Sequence, residues 1–209
     1  ERAYNEQVMR RINAAMEAND LAELERLELE LPQRDDSLHG PTRQARLAWA
    51  LAEITRALKV GDGMDPATQM GPLAASRRID VMEEFVSDAS ARGAVIEAGG
   101  KRVGNEGFFF APTVLRDVPD DARILQEEPF GPLAPIVRFK TYEDAVEKAN
   151  GLELGLAAYA FTGSADQAAR LTEDLQAGLV SINGAPLTAP ETPFGGVKDS
   201  GYGSEGGIE

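Results

Sequence analysis

The sequence predicts an α/β fold, because short and almost wholly apolar strands alternate with amphipathic helices from residue 61 onward. Each predicted strand is bounded by glycine, proline or polar residues. The predicted strands are residues 94–98, 108–115, 133–139, 156–162 and 178–183. Strands that are apolar throughout are buried on both faces, which is typical of a parallel sheet covered by helices. Binding sites in such sheets lie beyond the carboxyl ends of the strands.

Three helices are predicted in the same part of the chain. The first has an apolar stripe at helical spacing and ends at Gly93, since glycine commonly follows the last turn of a helix. Its stripe is Ile79, Met82, Val86 and Ala89. The other two begin at a residue whose hydroxyl oxygen can cap the first turn. The capping pairs are Thr141 with Asp144, for a helix through Ala149, and Ser164 with Gln167, for a helix through Leu175.

The first 57 residues carry a different, purely helical pattern. Two apolar stripes on either side of Asn19-Asp20 predict a helical hairpin that ends at Pro32. A third helix is predicted to begin near Pro41. Its apolar stripe is Leu47, Leu51, Ile54 and Leu58. We therefore expect a helical segment over residues 1–57 and an α/β domain over residues 58–209. The helices either pack on the α/β domain or form an arm that binds a partner.

Composition narrows the class of protein. The chain has 209 residues, of which 43% are hydrophobic, and a formal net charge of −14, which is typical of a globular protein that buries a sizeable core. It has no cysteine and one histidine, His39, so disulfides, thiolate metal sites and a histidine metal centre are not expected. Because nucleic-acid affinity depends mostly on lysine and arginine side chains that neutralise phosphates, we do not expect so acidic a chain to bind nucleic acid. No apolar run suits a membrane span or a signal peptide, so we expect a cytoplasmic location.

Three generic motifs are poor matches. Residues 201–206 have G-x-G-x-x-G spacing but follow a loop, whereas a dinucleotide fingerprint needs a preceding strand and a following helix. Ser200 lacks the glycine of a nucleophile elbow, because Lys198 occupies that position. Glu127 and Glu128 are adjacent, and neighbours on an extended segment point to opposite faces. We therefore expect at most one of these two carboxylates to face a pocket.

Six motifs, in a consistent order from Leu58 to Glu209, resemble the aldehyde dehydrogenase superfamily. They are Leu58-Lys59-Val60-Gly61-Asp62 with Gln69-Met70-Gly71-Pro72-Leu73, Gly107-Phe108-Phe109 with Pro112-Thr113-Val114, Glu127-Glu128-Pro129-Phe130-Gly131-Pro132, Gly155-Leu156-Ala157-Ala158-Tyr159, Gly178-Leu179-Val180-Ser181-Ile182-Asn183, and Pro193-Phe194-Gly195-Gly196. The run from 195 to 203 is most similar to members that act on succinate semialdehyde. The resemblance implies the C-terminal part of the family's catalytic domain.

The resemblance also implies site residues and a cofactor, NAD or NADP. Glu128 matches a glutamate that accepts hydrogen bonds from the nicotinamide ribose hydroxyls, and Phe130 matches an aromatic residue beside the nicotinamide ring. Phe194 matches a wall of the aldehyde tunnel, and Asn183 begins the loop that shapes the mouth of that tunnel. The simpler alternative is that Phe130 and Phe194 are core aromatics beside glycine turns. The resemblance implies a small aldehyde substrate, and either a homo-oligomer or a complementing chain, as partners. Neither nucleic acid nor a membrane is an expected partner.

The chemistry of the family is not matched. Its nucleophilic cysteine, general-base glutamate and dinucleotide-binding strands precede the matched region in family members, and this chain has no cysteine. We therefore predict no catalytic residue in the chain and weak or no binding of NAD or NADP. Three hypotheses stay open. The chain is an inactive piece of an aldehyde dehydrogenase, a non-catalytic scaffold or interaction protein that reuses the half-domain, or an enzyme of another type.

Overall fold

The computed structural model describes residues 43–184 and 187–207. The predicted hairpin of the first 32 residues lies outside these ranges, so that hairpin and the domain boundary at residue 57 stay predictions. The chain divides into two compact units, the first ending at Arg138 and the second beginning at Phe139. Both units combine helices with short strands, so the predicted α/β class is confirmed.

The first unit is built around a three-stranded sheet with the order β1-β2-β3. Its elements are α1 (Arg43–Ala57), α2 (Arg77–Ala91), β1 (Val95–Ala98), β2 (Thr113–Arg116), a 3₁₀ turn (Arg123–Leu125) and β3 (Leu133–Ile136). Strand β2 pairs in parallel with β3, with Thr113 opposite Leu133. Strand β1 pairs antiparallel with β2.

The antiparallel pair corrects the prediction of a wholly parallel sheet. A parallel pair needs a crossover connection, usually a helix, whereas a loop can join antiparallel strands. Residues 99–112, which join β1 to β2, contain no helix. The predicted strand 108–115 is also shorter than expected, because Phe110 makes only an isolated bridge with Arg102 before the regular strand begins at Thr113.

The predicted stripe of α2 is confirmed as the centre of the core. Ile79, Met82, Val86 and Ala89 are all buried, together with Phe85 on the same face. They pack against the sheet and the loops around it, where the buried partners are Ala94, Phe110, Leu115, Val118, Ala122, Ile124 and Leu133. The helix ends where predicted, since Gly93 has a φ of +105°, a conformation that favours glycine.

The packing face of α1 includes Leu51 of the predicted leucine stripe but not Leu47. Leu47 is 61% exposed, whereas Ala48 and Ala52 are fully buried. This face lies on β1 and β2, where Ala52 packs with Ala98 and Val114. Small side chains let a helix backbone approach a sheet closely, so the alanines take the position that the sequence pattern assigned to larger residues.

In its described residues, the second unit has two helices and four short strands. They are α3 (Tyr142–Asn150), β4 (Leu154–Gly155), β5 (Ala157–Ala160), α4 (Ala165–Asp174), β6 (Leu179–Ile182) and β7 (Val197–Lys198). Strands β5 and β6 are parallel, as predicted, and β4 and β7 are antiparallel. Both capping predictions are confirmed, because Thr141 Oγ1 accepts from the Asp144 N–H at 3.1 Å and Ser164 Oγ accepts from the Gln167 N–H at 3.3 Å.

Close backbone contacts and polar side chains hold the second unit together. Lys198 Nζ donates to the carbonyls of Asn150 and Leu152, at 2.8 and 2.7 Å. The amide of Asn150 in turn joins the end of α3 to the end of α4, donating to Asp174 O at 2.7 Å and accepting from Gln176 N at 2.8 Å. No large apolar side chain is buried in the part of this unit that the structure describes.

None of the helices in the described ranges is both long and apolar enough to cross a membrane.

A substitution at Gly178 tests the close backbone packing of the second unit. A Cβ added there would lie 1.8 Å from the carbonyl oxygen of Gly195, so Gly178→Ala forces two backbone segments apart. Overpacking typically costs about 1–3 kcal/mol, and we expect a fall in melting temperature of about 2–10 °C by circular dichroism. Gly163→Ala is the matched control, because nothing lies within 4 Å of its added Cβ. Equal melting of the two variants would contradict this packing.

Candidate functional site

The first candidate site is the 127–132 turn, which consists of residues 127–132 between the 3₁₀ turn and β3. Glu127 is held by Arg123, whose Nε and second guanidinium nitrogen donate to its carboxylate at 2.8 and 3.2 Å. These hydrogen bonds hold the pKa of Glu127 below its usual range. Glu128 is exposed, and its carboxylate makes no hydrogen bond or ion pair within the described residues. The expectation that at most one of the two carboxylates is available to a ligand fits this arrangement.

The backbone of the 127–132 turn rests on α2. The guanidinium of Arg78 donates to the carbonyl of Pro129 and lies 3.5 Å from the carbonyl of Phe130. Gly131 lies directly against Met82, because an added Cβ would be 2.2 Å from the Met82 sulfur. The ring of Phe130 is 73% exposed, so the alternative that it is a core aromatic is wrong.

Asp88 on α2 fixes the 3₁₀ turn that precedes the site. Its carboxylate accepts from the Arg123 backbone N–H and from Arg92 Nε, both at 2.9 Å. The bond from the Arg123 backbone, followed by the bond from Arg92, holds the pKa of Asp88 below its ordinary value. The guanidinium of Arg123 also lies over the ring of Phe85, 5.4 Å from its centre. Arg123 therefore joins α2 to the turn through its backbone, its charge and its stacking.

Sequence reasoning missed this support. The spacing of four residues between Arg123 and Glu127 is a signal for an ion pair on one turn of backbone. The link from Asp88 to Arg123 spans 35 residues and leaves no such local signal.

Asn183 and Phe194 belong to the second unit. The amide of Asn183 is occupied by the backbone of Thr162, accepting from its N–H and donating to its carbonyl, both at 2.8 Å. Asn183 has a φ of +55°, so it turns the chain directly after β6. Phe194 is half-buried and exchanges two backbone hydrogen bonds of 2.7 Å with Glu205. Their roles at an aldehyde tunnel stay predictions.

The residues of the poorly matching motifs, Ser200 and residues 201–206, have structural roles in the second unit. Ser200 Oγ accepts from the Gly155 N–H at 2.8 Å and so fastens β4 to the loop after β7. Residues 201–207 contain no helix, and Glu205 within them bridges to Phe194. Across residues 43–184 and 187–207, no group of three or more carboxylate or histidine side chains is arranged to hold a metal ion.

The 127–132 turn exposes two side chains that could hold part of a cofactor. Glu128 offers acceptor oxygens without a competing donor, which suits a pair of ribose hydroxyls. Phe130 offers a wet aromatic face, which suits a flat ring. Phe130 has a left-handed backbone conformation, with a φ of +39°. Its neighbours Pro129 and Gly131 both contact α2. The turn therefore presents these two side chains from a supported backbone.

Comparison with known proteins identifies the family. The profile described as "Aldehyde dehydrogenase family" matches residues 42–209, which is most of the chain. The chain belongs to the aldehyde dehydrogenase family. The match begins before Leu58 and so includes α1. The resemblance drawn from the six motifs is confirmed.

Several relatives of this aldehyde dehydrogenase chain are closely similar in sequence. A mitochondrial succinate-semialdehyde dehydrogenase of Arabidopsis thaliana is 46% identical over 161 residues, covering 77% of this chain and 30% of that protein. The 4-(hydroxymethyl)benzenesulfonate dehydrogenase TsaD1 of Comamonas testosteroni is 47% identical over 155 residues, covering 74% of this chain and 32% of that protein.

The fold has close neighbours among solved structures. An aldehyde dehydrogenase of Bacillus cereus in complex with NAD⁺ matches with a TM-score of 0.72 and 37% identity, covering 76% of this chain and 32% of that chain. This aldehyde dehydrogenase chain therefore spans about a third of the length of the relatives it matches.

The carboxylate of Asp88 should make the stability of the first unit depend on pH. Its pKa is lowered by folding, so its contribution is complete above the ordinary aspartate pKa of about 3.9 and is lost as the pH falls through the lower folded value. Asp88→Asn should lower the urea midpoint at pH 7, and the gap to the unchanged chain should narrow below about pH 4. Glu83→Gln, an exposed change on the same helix, is the control. A gap that stays constant with pH would contradict the assigned role.

Proposed function

We propose that the first unit of this chain supplies contacts to the nicotinamide cofactor of an NAD(P)-dependent aldehyde dehydrogenase. The observation that carries the proposal is the pair of exposed side chains on the 127–132 turn. Glu128 has no partner within the described residues, while its neighbour Glu127 is engaged by Arg123. Phe130 is exposed on a turn whose backbone α2 supports. Membership of the family and the NAD⁺ complex of the Bacillus cereus relative support the choice of cofactor.

Each residue of the turn would have a simple task. The carboxylate of Glu128 accepts hydrogen bonds from the ribose hydroxyls of the nicotinamide half, and the ring of Phe130 packs beside the nicotinamide. When bound, the nicotinamide supplies the hydride acceptor for aldehyde oxidation. Fixing the ribose and the ring on one rigid turn limits their freedom, which is how positioning lowers a barrier.

We further propose a short semialdehyde as the substrate class. The name of the Arabidopsis relative supports this choice, and so does the similarity of residues 195–203 to family members of that type. Phe194 would line the aldehyde path. Asn183 would shape the adjoining loop through its two bonds to Thr162, because its amide is already occupied. A cytoplasmic location and a homo-oligomeric or complementing chain remain part of the proposal.

The chemistry of the family requires a thiolate to add to the aldehyde carbon. The 209 residues contain no cysteine. The carbonyl-adding step therefore depends on residues beyond these 209, and the chain by itself is proposed to bind and orient only.

Weak cofactor binding that depends on Glu128 tests the proposed site. We expect NAD to bind the chain with a Kd of about 1 mM or weaker, because only the nicotinamide end is contacted and association carries a large entropic cost. Glu128→Ala should weaken the ligand-detected NMR signal several-fold. Glu106→Ala, which removes another exposed glutamate of the first unit, should leave the signal unchanged. Equal signals from all three proteins would remove the support for a cofactor site at this turn.

The second expectation is that the isolated chain does not oxidise aldehydes. Serine at its ordinary pKa is a poor replacement for a thiolate, and the chain has no cysteine to form a thiohemiacetal. Purified chain mixed with succinate semialdehyde and NAD or NADP should produce no more reduced cofactor than a protein-free blank, measured at 340 nm. Aldehyde-dependent reduction above that blank would show that the reaction here does not use the family's nucleophile.

A further inference from the structure

Arg78 lies in the first turn of α2 and reaches the 127–132 turn. One guanidinium nitrogen donates to the carbonyl of Pro129 and lies 3.5 Å from the carbonyl of Phe130. The side chain is half-buried, and its Nε is a buried donor without a partner among the described residues. The contact joins positions 51 residues apart in the chain.

Arg78 differs from Arg92 and Arg123 of the first unit in the groups that its guanidinium contacts. Arg92 pairs with Asp88 and Asp121, and Arg123 pairs with Glu84 and Glu127. Arg78 forms no ion pair with any carboxylate of the described chain. Its donors are therefore directed at backbone carbonyls, where a charged donor makes a stronger hydrogen bond than a neutral one.

The two carbonyls lie on either side of the Phe130 backbone. The carbonyl of Pro129 defines the peptide plane before Phe130, and the carbonyl of Phe130 defines the plane after it. Fixing both planes fixes φ and ψ of Phe130, and with them the direction in which its ring leaves the chain. Glu128 immediately precedes Pro129, whose own φ is fixed by its ring.

Phe130 needs such support. Its φ of +39° is in the left-handed region, which is unfavourable for a residue with a Cβ. Conformations of this kind persist only where the surroundings impose them. The ring itself contributes little, because it is 73% exposed. Backbone contacts from Arg78 and the packing of Gly131 against Met82 support the turn. Two backbone hydrogen bonds of 2.8 Å also hold it, from the Leu133 N–H to the carbonyl of Gly131 and from the Thr113 N–H to the carbonyl of Pro132.

We propose that Arg78 is a positioning residue for the cofactor contact: by fixing both peptide planes around Phe130, it sets the directions of the Phe130 ring and the Glu128 carboxylate. This inference rests on the proposed function of those two residues. The competing explanation is that the packing of Gly131 on Met82 holds the turn and that Arg78 adds nothing.

Three variants of the 209-residue chain separate these explanations. Arg78→Met keeps an apolar stem and removes every donor. Arg78→Lys restores one charged donor on a stem of similar length. Arg77→Met removes an equal charge from the adjacent, exposed position and is the matched control.

The first measurement is the ¹⁵N order parameter of the Phe130 and Gly131 amides without any cofactor. Arg78→Met should lower it from about 0.85, typical of rigid backbone, to below about 0.6. Arg78→Lys should recover part of the order, and Arg77→Met should show no change. Unchanged order in Arg78→Met would overturn the inference. Partial recovery in Arg78→Lys keeps the test valid if Arg78→Met loosens the whole unit, and a lysine variant as disordered as the methionine variant would also count against it.

The second measurement is binding of nicotinamide mononucleotide, which carries the ring and the ribose, by ligand-detected NMR. In the unchanged chain, Glu128→Ala should weaken binding at least about threefold. In the Arg78→Met background, the same change should have less than half of that effect, because Glu128 is no longer held toward the ribose. Equal effects in both backgrounds would overturn the positioning role. Absence of binding to the unchanged chain would instead overturn the proposed cofactor contact, while the order parameters would still show whether Arg78 holds the turn.

Discussion

The buried face of α2 is the constraint on which the first unit depends. Met82 is fully buried on that face, and Gly131 approaches it so closely that no side chain fits between the helix and the turn. The same helix contributes Arg78 near its start and Asp88 near its end. Three contacts along one helix therefore fix both the 3₁₀ turn and the 127–132 turn. A shift of α2 in its packing would move the candidate site with it.

The second unit is held together by a different set of forces. Its described residues bury no large apolar side chain completely, although the apolar residues of β6, Leu179, Val180 and Ile182, are half-buried. Lysine and asparagine side chains also close its loops onto backbone carbonyls, as at Lys198 and Asn150. Hydrogen bonds of this kind add little net stability because water competes for the same groups. They specify where loops lie, and that suits a unit whose proposed task is to shape a substrate path.

The sequence predicted the elements better than their pairing. Hydrophobic period and capping located α2, α3 and α4, because those signals are local. The leucine stripe identified the packing face of α1 only in part, since Leu51 packs on the sheet but the fully buried residues are Ala48 and Ala52. The antiparallel pairing of β1 was missed because apolar strand composition does not report strand direction. At the candidate site, the motif singled out Glu128 and Phe130, which the structure shows exposed on one turn. No sequence signal pointed to Arg78, because its partner is a backbone carbonyl 51 residues away.

The two adjacent glutamates of the 127–132 turn have different surroundings. Glu127 lies just after the 3₁₀ turn, where its N–H donates to the carbonyl of Arg123 at 2.9 Å. Glu127 faces Arg123 and gains two charge-assisted hydrogen bonds, which fix the start of the turn. Glu128 is exposed and unpartnered within the described residues. The structure thus leaves one carboxylate of the motif engaged within the turn and the other accessible, which is the arrangement that the proposed cofactor contact requires.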